Sequence, residues 1–186
     1  ISSQYPRTII IAYHAFNSDP WKNFNGNEIV GLMGFSSTPT ASIDRNNTVG
    51  NGNYAAWITW VQNRYSSLPE SRVDINVVSK SFNESTRELS LTVNSTALQD
   101  LTGQYKITFV ITENNLIYEQ NFYSNCGTPG IVPDYIHNHV TRTIVNGAAG
   151  ENLNSGNVWN TDQTLTKSCL LYTSPSPRDR TRSRMP

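Results

Sequence analysis

The chain has 186 residues, with 14 Lys+Arg balancing 14 Asp+Glu and a pI near 7.0. A mean hydropathy of −0.46 and the lack of any apolar run of about 18 residues exclude a membrane-spanning helix. Outside the arginine-bearing stretch at residues 178–184, no basic patch argues for an electrostatic nucleic-acid binder.

In chain order, the sequence opens on Ile1 and reads as a fragment entered in mid-protein. "RTIIIAYHAF" is a continuous apolar run of strand length, expected to be buried on both faces in a parallel or mixed sheet. "DPWKNFNGNEIVGLMGF" predicts a loop followed by one or two helical turns. In "STPTASIDRN", Pro39 interrupts any ladder at its own position, and Ala41 to Arg45 are extended. The "IDR" at residues 43–45 is expected to form a local salt bridge or to hold the loop after Pro39. "GNGN" at residues 50–53 lacks the lysine of a phosphate-binding loop and reads as a tight loop. "NYAAWITWVQNRY" then places Tyr54, Trp57, Ile58, Val61 and Tyr65 at i, i+3, i+4, i+7 and i+11. That is one apolar stripe of an amphipathic helix, closed before Pro69.

The texture changes near "SSLPES". "RVDINVVSKSF" alternates Val73, Ile75 and Val77 against Asp74 and Asn76, and "RELSLTVNS" alternates Leu89, Leu91 and Val93 against Glu88, Ser90 and Thr92. The polar "NEST" between them makes a hairpin. "QYKITFVIT" repeats the device with Tyr105, Ile107, Phe109 and Ile111. "NLIYEQNFYSN", "YIHNHVTRTIV" and "VWNTDQTLTKS" supply further strands of an antiparallel sandwich.

From Cys169 the chain runs "CLLYTSPSPRDRTRSRMP", and Ser/Pro/Arg replaces Asn/Thr. This string resembles a translated sequencing-library adapter, so residues 169–186 are expected to form a disordered tail outside the fold. Its four arginines stand against Asp179 alone, a net of +3, which leaves residues 1–168 at −3. Cys126 is then the one native cysteine, and a Cys126–Cys169 disulfide is not expected.

At "STPTASIDR" and "YIHNHVTR", joined by this helix and this series of strands, residues 1–168 resemble the Omp-twenty-eight-related outer membrane protein family. The resemblance implies an α+β chain: a partial thioredoxin-like α/β domain over residues 1–69, then an incomplete Ig-like antiparallel β-sandwich over residues 70–168. It also implies a bacterial cell-envelope protein, outer-membrane-associated or secreted, often a lipoprotein. Such a protein acts in binding or assembly on a protein or envelope ligand, without nucleic acid, cofactor or metal, and meets a membrane only through a lipid anchor. In a thioredoxin-like domain, Pro39 after Thr38 matches the cis-proline that faces the active-site cysteines. Thr38, Pro39 and Thr40 would then form a partner-facing loop. No CxxC pair stands in this chain, so the fragment is expected not to be an enzyme. The alternative is a thiol-disulfide oxidoreductase whose cysteines lie upstream.

His137 and His139 carry the remaining chemistry. On a strand they project from one face with Tyr135 and Thr141, and two imidazoles at i and i+2 can begin a zinc site. His14 is the third histidine, and Asp134 is too close in sequence to serve. Two ligands are an incomplete set, so the pair reads as architecture tying strand to loop or interface. On a helix, with Pro133 in its first turn and Gly147 past its end, the two would diverge. No "GxSxG" elbow occurs. Cys126, in "SNCGTPG", is expected to be free and inert or partnered elsewhere. Trp21, Trp57, Trp60 and Trp159 read as packing, and no repeated aromatic platform marks a carbohydrate or peptide surface.

Overall fold

Among the described residues every pair of strands is antiparallel, and the order of the elements is that of one hairpin nested inside another. The computed structural model describes residues 3–15, 21, 26–36, 39–52, 56–122 and 129–172; Thr38 and Cys126 lie outside them. The mixture is α+β, with two helices among thirteen strands in the described residues.

The first part forms α1 (Gly26–Met33), a short hairpin of β1 (Ala41–Ile43) and β2 (Asn46–Gly52), and α2 (Trp57–Ser67). α1 buries Ile29 and Met33 at its i and i+4 positions. A side chain at Gly26 would collide with the His14 carbonyl oxygen, so only glycine lets the helix start that close to the preceding segment. α2 covers part of the predicted stripe, burying Val61 and half-covering Trp57 and Tyr65 while Ile58 stays 38% exposed; Tyr54 lies outside the described residues, and the helix ends before Pro69. "GNGN" is not a loop up to Gly52: Ala41 pairs with Gly52 and Ser42 with Asn51.

"RTIIIAYHAF" is corrected. Within its described residues only Ala12 pairs, in a single parallel bridge to Val140, and Ile9, Ile10 and Ile11 are 86%, 41% and 37% exposed. An apolar run specifies burial only if strands lie on both sides of it, and among the described residues none flanks these three.

The second part begins with the predicted hairpin of β3 (Val73–Asn83) and β4 (Glu88–Ala97). Asn83 Oδ1 closes the turn, accepting the Ser85 and Thr86 N–H groups. Next comes a long excursion. Going out it comprises β5 (Leu101–Thr102), β6 (Lys106–Ile107), β7 (Val110–Glu113) and β8 (Leu116–Phe122). It returns as β9 (Gly130–His137), β10 (Val140–Ile144), β11 (Glu151–Asn152) and β12 (Val158–Trp159). Each outgoing strand pairs with the mirror-placed returning one: β8 with β9, β7 with β10, β6 with β11, β5 with β12. The chain then closes with β13 (Thr164–Tyr172) on the free edge of β4.

Three breaks interrupt this ribbon, and asparagine side chains bond across each. Between β5 and β6, Asn154 accepts the Tyr105 N–H at 2.7 Å and donates to the Gly103 and Gly156 carbonyls. Between β6 and β7, Asn146 accepts the Phe109 N–H and donates to the Ile107 carbonyl. At the third break, Asn114 accepts the His139 N–H while Asn138 accepts the Asn115 N–H, each across to the opposite strand. Asn115 and His139 both have positive φ, 60° and 59°; Asn and His are among the few residues that tolerate that region. So "QYKITFVIT" and "YIHNHVTRTIV" are each two strands rather than one. A buried N–H or C=O without a partner costs about 1–3 kcal/mol, and these amides supply what the broken ladder cannot.

Three apolar clusters result. Ile29, Met33, Ile144 and Ala148 form one, with Tyr13, Phe35 and Val110 against it. Trp21, Leu116 and Val140 form the second, and Ala97, Leu101 and Trp159 the third. The first two join residues from both sides of "SSLPES". The row Val73, Ile75, Val77 is covered only at its start: Ile75 is 64% exposed, because β3 is an edge strand and the third cluster reaches no farther. The composition break after Ser168 also requires a correction. β13 passes it to Tyr172, pairing Cys169 with Leu91 and Leu171 with Leu89, so the first four residues of the expected tail are in the ladder. The ten-residue β4 is long enough to template them, and Leu165, Lys167, Cys169 and Leu171 keep one alternation. Burial first, and the nearby Glu151 second, raise the Cys169 thiol pKa.

Asn154→Ala is expected to lower unfolding stability by about 1–3 kcal/mol, read by chemical denaturation, because the Tyr105 N–H loses its acceptor. A second outcome concerns Asp100, whose Oδ1 accepts the Thr161 N–H and hydroxyl, both at 2.9 Å. These bonds, the backbone one first, hold its pKa below the usual carboxylate value. A depressed folded pKa gives stability that is present above the unfolded pKa and lost as pH falls through the folded one. Melting temperature is therefore expected to fall more steeply in the wild type than in Asp100→Asn between about pH 4 and pH 2.

Candidate functional site

Two places concentrate chemistry. The first is the turn between β1 and β2, where Asp44 and Arg45 both take positive φ, 51° and 53°. Such a two-residue turn is normally Asn-Gly or Asp-Gly; an arginine there is strained unless its side chain is held. It is held from three directions. Arg45 Nη1 donates to the Ala148 carbonyl at 2.6 Å and to Thr108 Oγ1 at 3.5 Å, and Nη2 donates to Tyr13 Oη at 3.5 Å. Asp44 pairs with Arg64 of α2 at 2.5 Å. The expected bridge within "IDR" does not form; the two charges reach opposite ways, one to the helix and one to the ribbon. Just before the hairpin, Pro39 is exposed and Thr40 half-buried.

The second place is the root of the β8–β9 ribbon, where edge-to-face rings converge from separate segments. Trp21 lies 4.8 Å from His137, 4.9 Å from His14 and 5.7 Å from Tyr118. Tyr135 lies 4.7 Å from His137 and 5.6 Å from Phe122. Such pairs each contribute about 0.5–1.5 kcal/mol beyond area burial. The ladder explains the row. Leu116 faces His137, Tyr118 faces Tyr135, and Phe122 stands on the same face two steps on. Trp21 and His137 are buried, whereas Tyr118 and Tyr135 are 42% and 37% exposed. The row is thus anchored at one end and open to solvent along its side.

This geometry separates the two histidines that the sequence put together. Positive φ at His139 turns the chain, so His137 is buried in the ring cluster and His139 is exposed. The imidazole that does approach His137 is His14, with ring centres 5.7 Å apart. Asp134 is exposed on β9. Among the described residues no three His, Cys, Asp or Glu side chains come together as a metal set. The aromatic row itself was missed in the sequence, although Tyr118 and Phe122 share strand parity and Tyr135 shares it with His137. The missing information was the pairing of β8 with β9 and the arrival of Trp21.

A family model described as Outer membrane protein Omp28 matches residues 28–171. No curated protein and no solved structure matches the chain. Among the described residues no helix is long and apolar enough to cross a membrane.

The two charges of the turn are expected to differ in weight. Asp44→Asn keeps a residue that tolerates positive φ and removes a solvent-exposed ion pair, so it should cost no more than about 1 kcal/mol. Arg45→Ala leaves the part-buried Ala148 carbonyl without its donor and should cost about 1–3 kcal/mol. Denaturant midpoints of the two variants check the order.

Proposed function

The chain belongs to the Omp28 outer membrane protein family, and from that premise we propose that it is a non-catalytic binding or assembly module of the bacterial outer membrane. The observation that carries the reading is the half-exposed row Tyr118, Phe122 and Tyr135, backed by buried Trp21 and His137. Large rings with restricted freedom, packed on one side and wet on the other, are what binding surfaces use as anchors. The histidines support it too, since His14 and His137 serve as ring-packing partners within the cluster.

Within the same proposal, the β1–β2 hairpin and α2 are the remnant of a thioredoxin-like unit, with Thr38, Pro39 and Thr40 as its partner-facing loop. The β3–β4–β13 sheet and the ribbon are the incomplete Ig-like sandwich. Co-sedimentation with bacterial outer-membrane vesicles tests the proposal. The wild-type chain should pellet with the vesicles, and Tyr118→Ala with Tyr135→Ala should weaken that association about tenfold, a loss of about 1.4 kcal/mol. Equal pelleting of both proteins, or turnover by the chain in a dithiothreitol-driven insulin-reduction assay, overturns it.

A further inference from the structure

We propose that Asn146 is a spontaneous deamidation site, and that its conversion to aspartate or isoaspartate irreversibly loosens the N-terminal part from the ribbon. Of the four asparagines that bridge the ribbon's gaps, it alone precedes a glycine; Asn114, Asn138 and Asn154 precede Asn115, His139 and Ser155. The reaction needs the next residue's backbone nitrogen to reach the asparagine Cγ, and a side chain on that residue obstructs the approach. Gly147 has none and takes φ +75°, and apart from its chain neighbours no atom lies within 4 Å of where a Cβ would stand. Its N–H makes no hydrogen bond among the described residues, so nothing competes for the nucleophile. Asn51–Gly52 is a second such pair, but its backbone is held in the β1–β2 ladder.

The reacting amide is also held and polarised. Asn146 Oδ1 accepts the Phe109 N–H at 3.1 Å, and Nδ2 donates to the Ile107 carbonyl at 2.8 Å. Negative charge develops on Oδ1 as the ring closes, and a backbone N–H already aimed at that oxygen stabilises it. Hydroxide removes the Gly147 N–H proton, and the nitrogen bonds to Cγ. The Cγ–Nδ2 bond then breaks and releases ammonia, which takes its proton from water. A second water opens the cyclic imide at either carbonyl, giving aspartate or isoaspartate. Either product ends in a carboxylate, which cannot donate to the Ile107 carbonyl, and isoaspartate also adds a carbon to the backbone. Two residues on, Ala148 accepts Arg45 on its carbonyl, gives its N–H to Glu28 and clusters with Ile29, Met33 and Ile144. A new negative charge that close along the chain opposes the Glu28 contact.

The test holds the full folded chain, and a urea-unfolded control, in mildly alkaline buffer and follows each asparagine by peptide mass spectrometry. In the folded chain Asn146 should gain the mass of deamidation ahead of Asn114, Asn138 and Asn154, with both aspartate and isoaspartate forming. In the aged chain and in Asn146→Asp, the Ala148 N–H should exchange at least about tenfold faster than in fresh wild type, as loss of one protecting hydrogen bond implies. The aged chain carries this reading alone if Asn146→Asp fails to fold. An unchanged Asn146 in the folded chain, once the unfolded control has converted, overturns the proposal, because the Phe109 and Ile107 bonds then shield the amide. Full conversion with Ala148 exchange unaltered also overturns it, since the N-terminal part then stays fastened. Equal conversion of all four bridging asparagines does so too, because the glycine then confers nothing. None of these readings involves Tyr118 or Tyr135, so loss of this effect and loss of vesicle association are independent outcomes.

Discussion

Asparagine amides bridging the gaps of a broken ribbon are the constraint on which the rest of the structure depends. A two-stranded excursion from Leu101 to Trp159 has a ladder only in short pieces, and each gap would leave backbone groups unpaired. Asn154, Asn146, and the reciprocal Asn114 and Asn138 bond to those groups. An amide is suited to this because it offers an acceptor and donors on one short, rigid stem. The gaps in turn allow the chain to bulge and bend. Gly150 shows the same crowding, since a side chain there would collide with the Ile107 carbonyl and its φ is +70°. The cost of an irregular ribbon is met locally, gap by gap.

That irregularity gives the N-terminal segments somewhere to pack. The loop at Ala148, looped out between β10 and β11, receives the Arg45 guanidinium on its carbonyl and the Glu28 carboxylate on its N–H. α1 then buries Ile29 and Met33 against Ile144 and Ala148. Charge–backbone hydrogen bonds and an apolar cluster converge on the same few residues, which is why the core crosses the compositional boundary near "SSLPES". Hydrogen bonds to charged groups are among the stronger ones in proteins, and here they hold an arginine in a backbone region it would otherwise avoid.

The third gap re-aims the ribbon tip. Paired positive-φ residues, Asn115 and His139, sit across from one another, and beyond them β8 and β9 carry the aromatic row. Trp21 braces the root of that row through His137 and Tyr118. The consequence is a ring surface with one packed side and one wet side, on a protein whose family belongs to the outer membrane. The same turn moves His139 to the groove beside Ile9–Ile11. A single backbone feature thus separates a pair that looked like a metal clip into two different surroundings.

Alternation and helical periodicity alone determined the local elements: α1, the α2 stripe over Val61 and Tyr65, the β3–β4 hairpin with its polar turn, and the positions of most later strands. Those are legible because a strand or helix face is fixed by spacing within a few residues. The family motifs at "STPTASIDR" and "YIHNHVTR" carried the outer-membrane assignment. What spacing could not decide was where each ladder breaks, since a gap depends on a loop in the opposite strand dozens of residues away. Nor could it show that Arg45 reaches Ala148, or that Trp21 meets Tyr118 and His137; those contacts join positions remote in sequence. The exposure of Ile9–Ile11 has the same origin: an apolar run states what would be favourable to bury, and only neighbouring strands decide whether burial occurs.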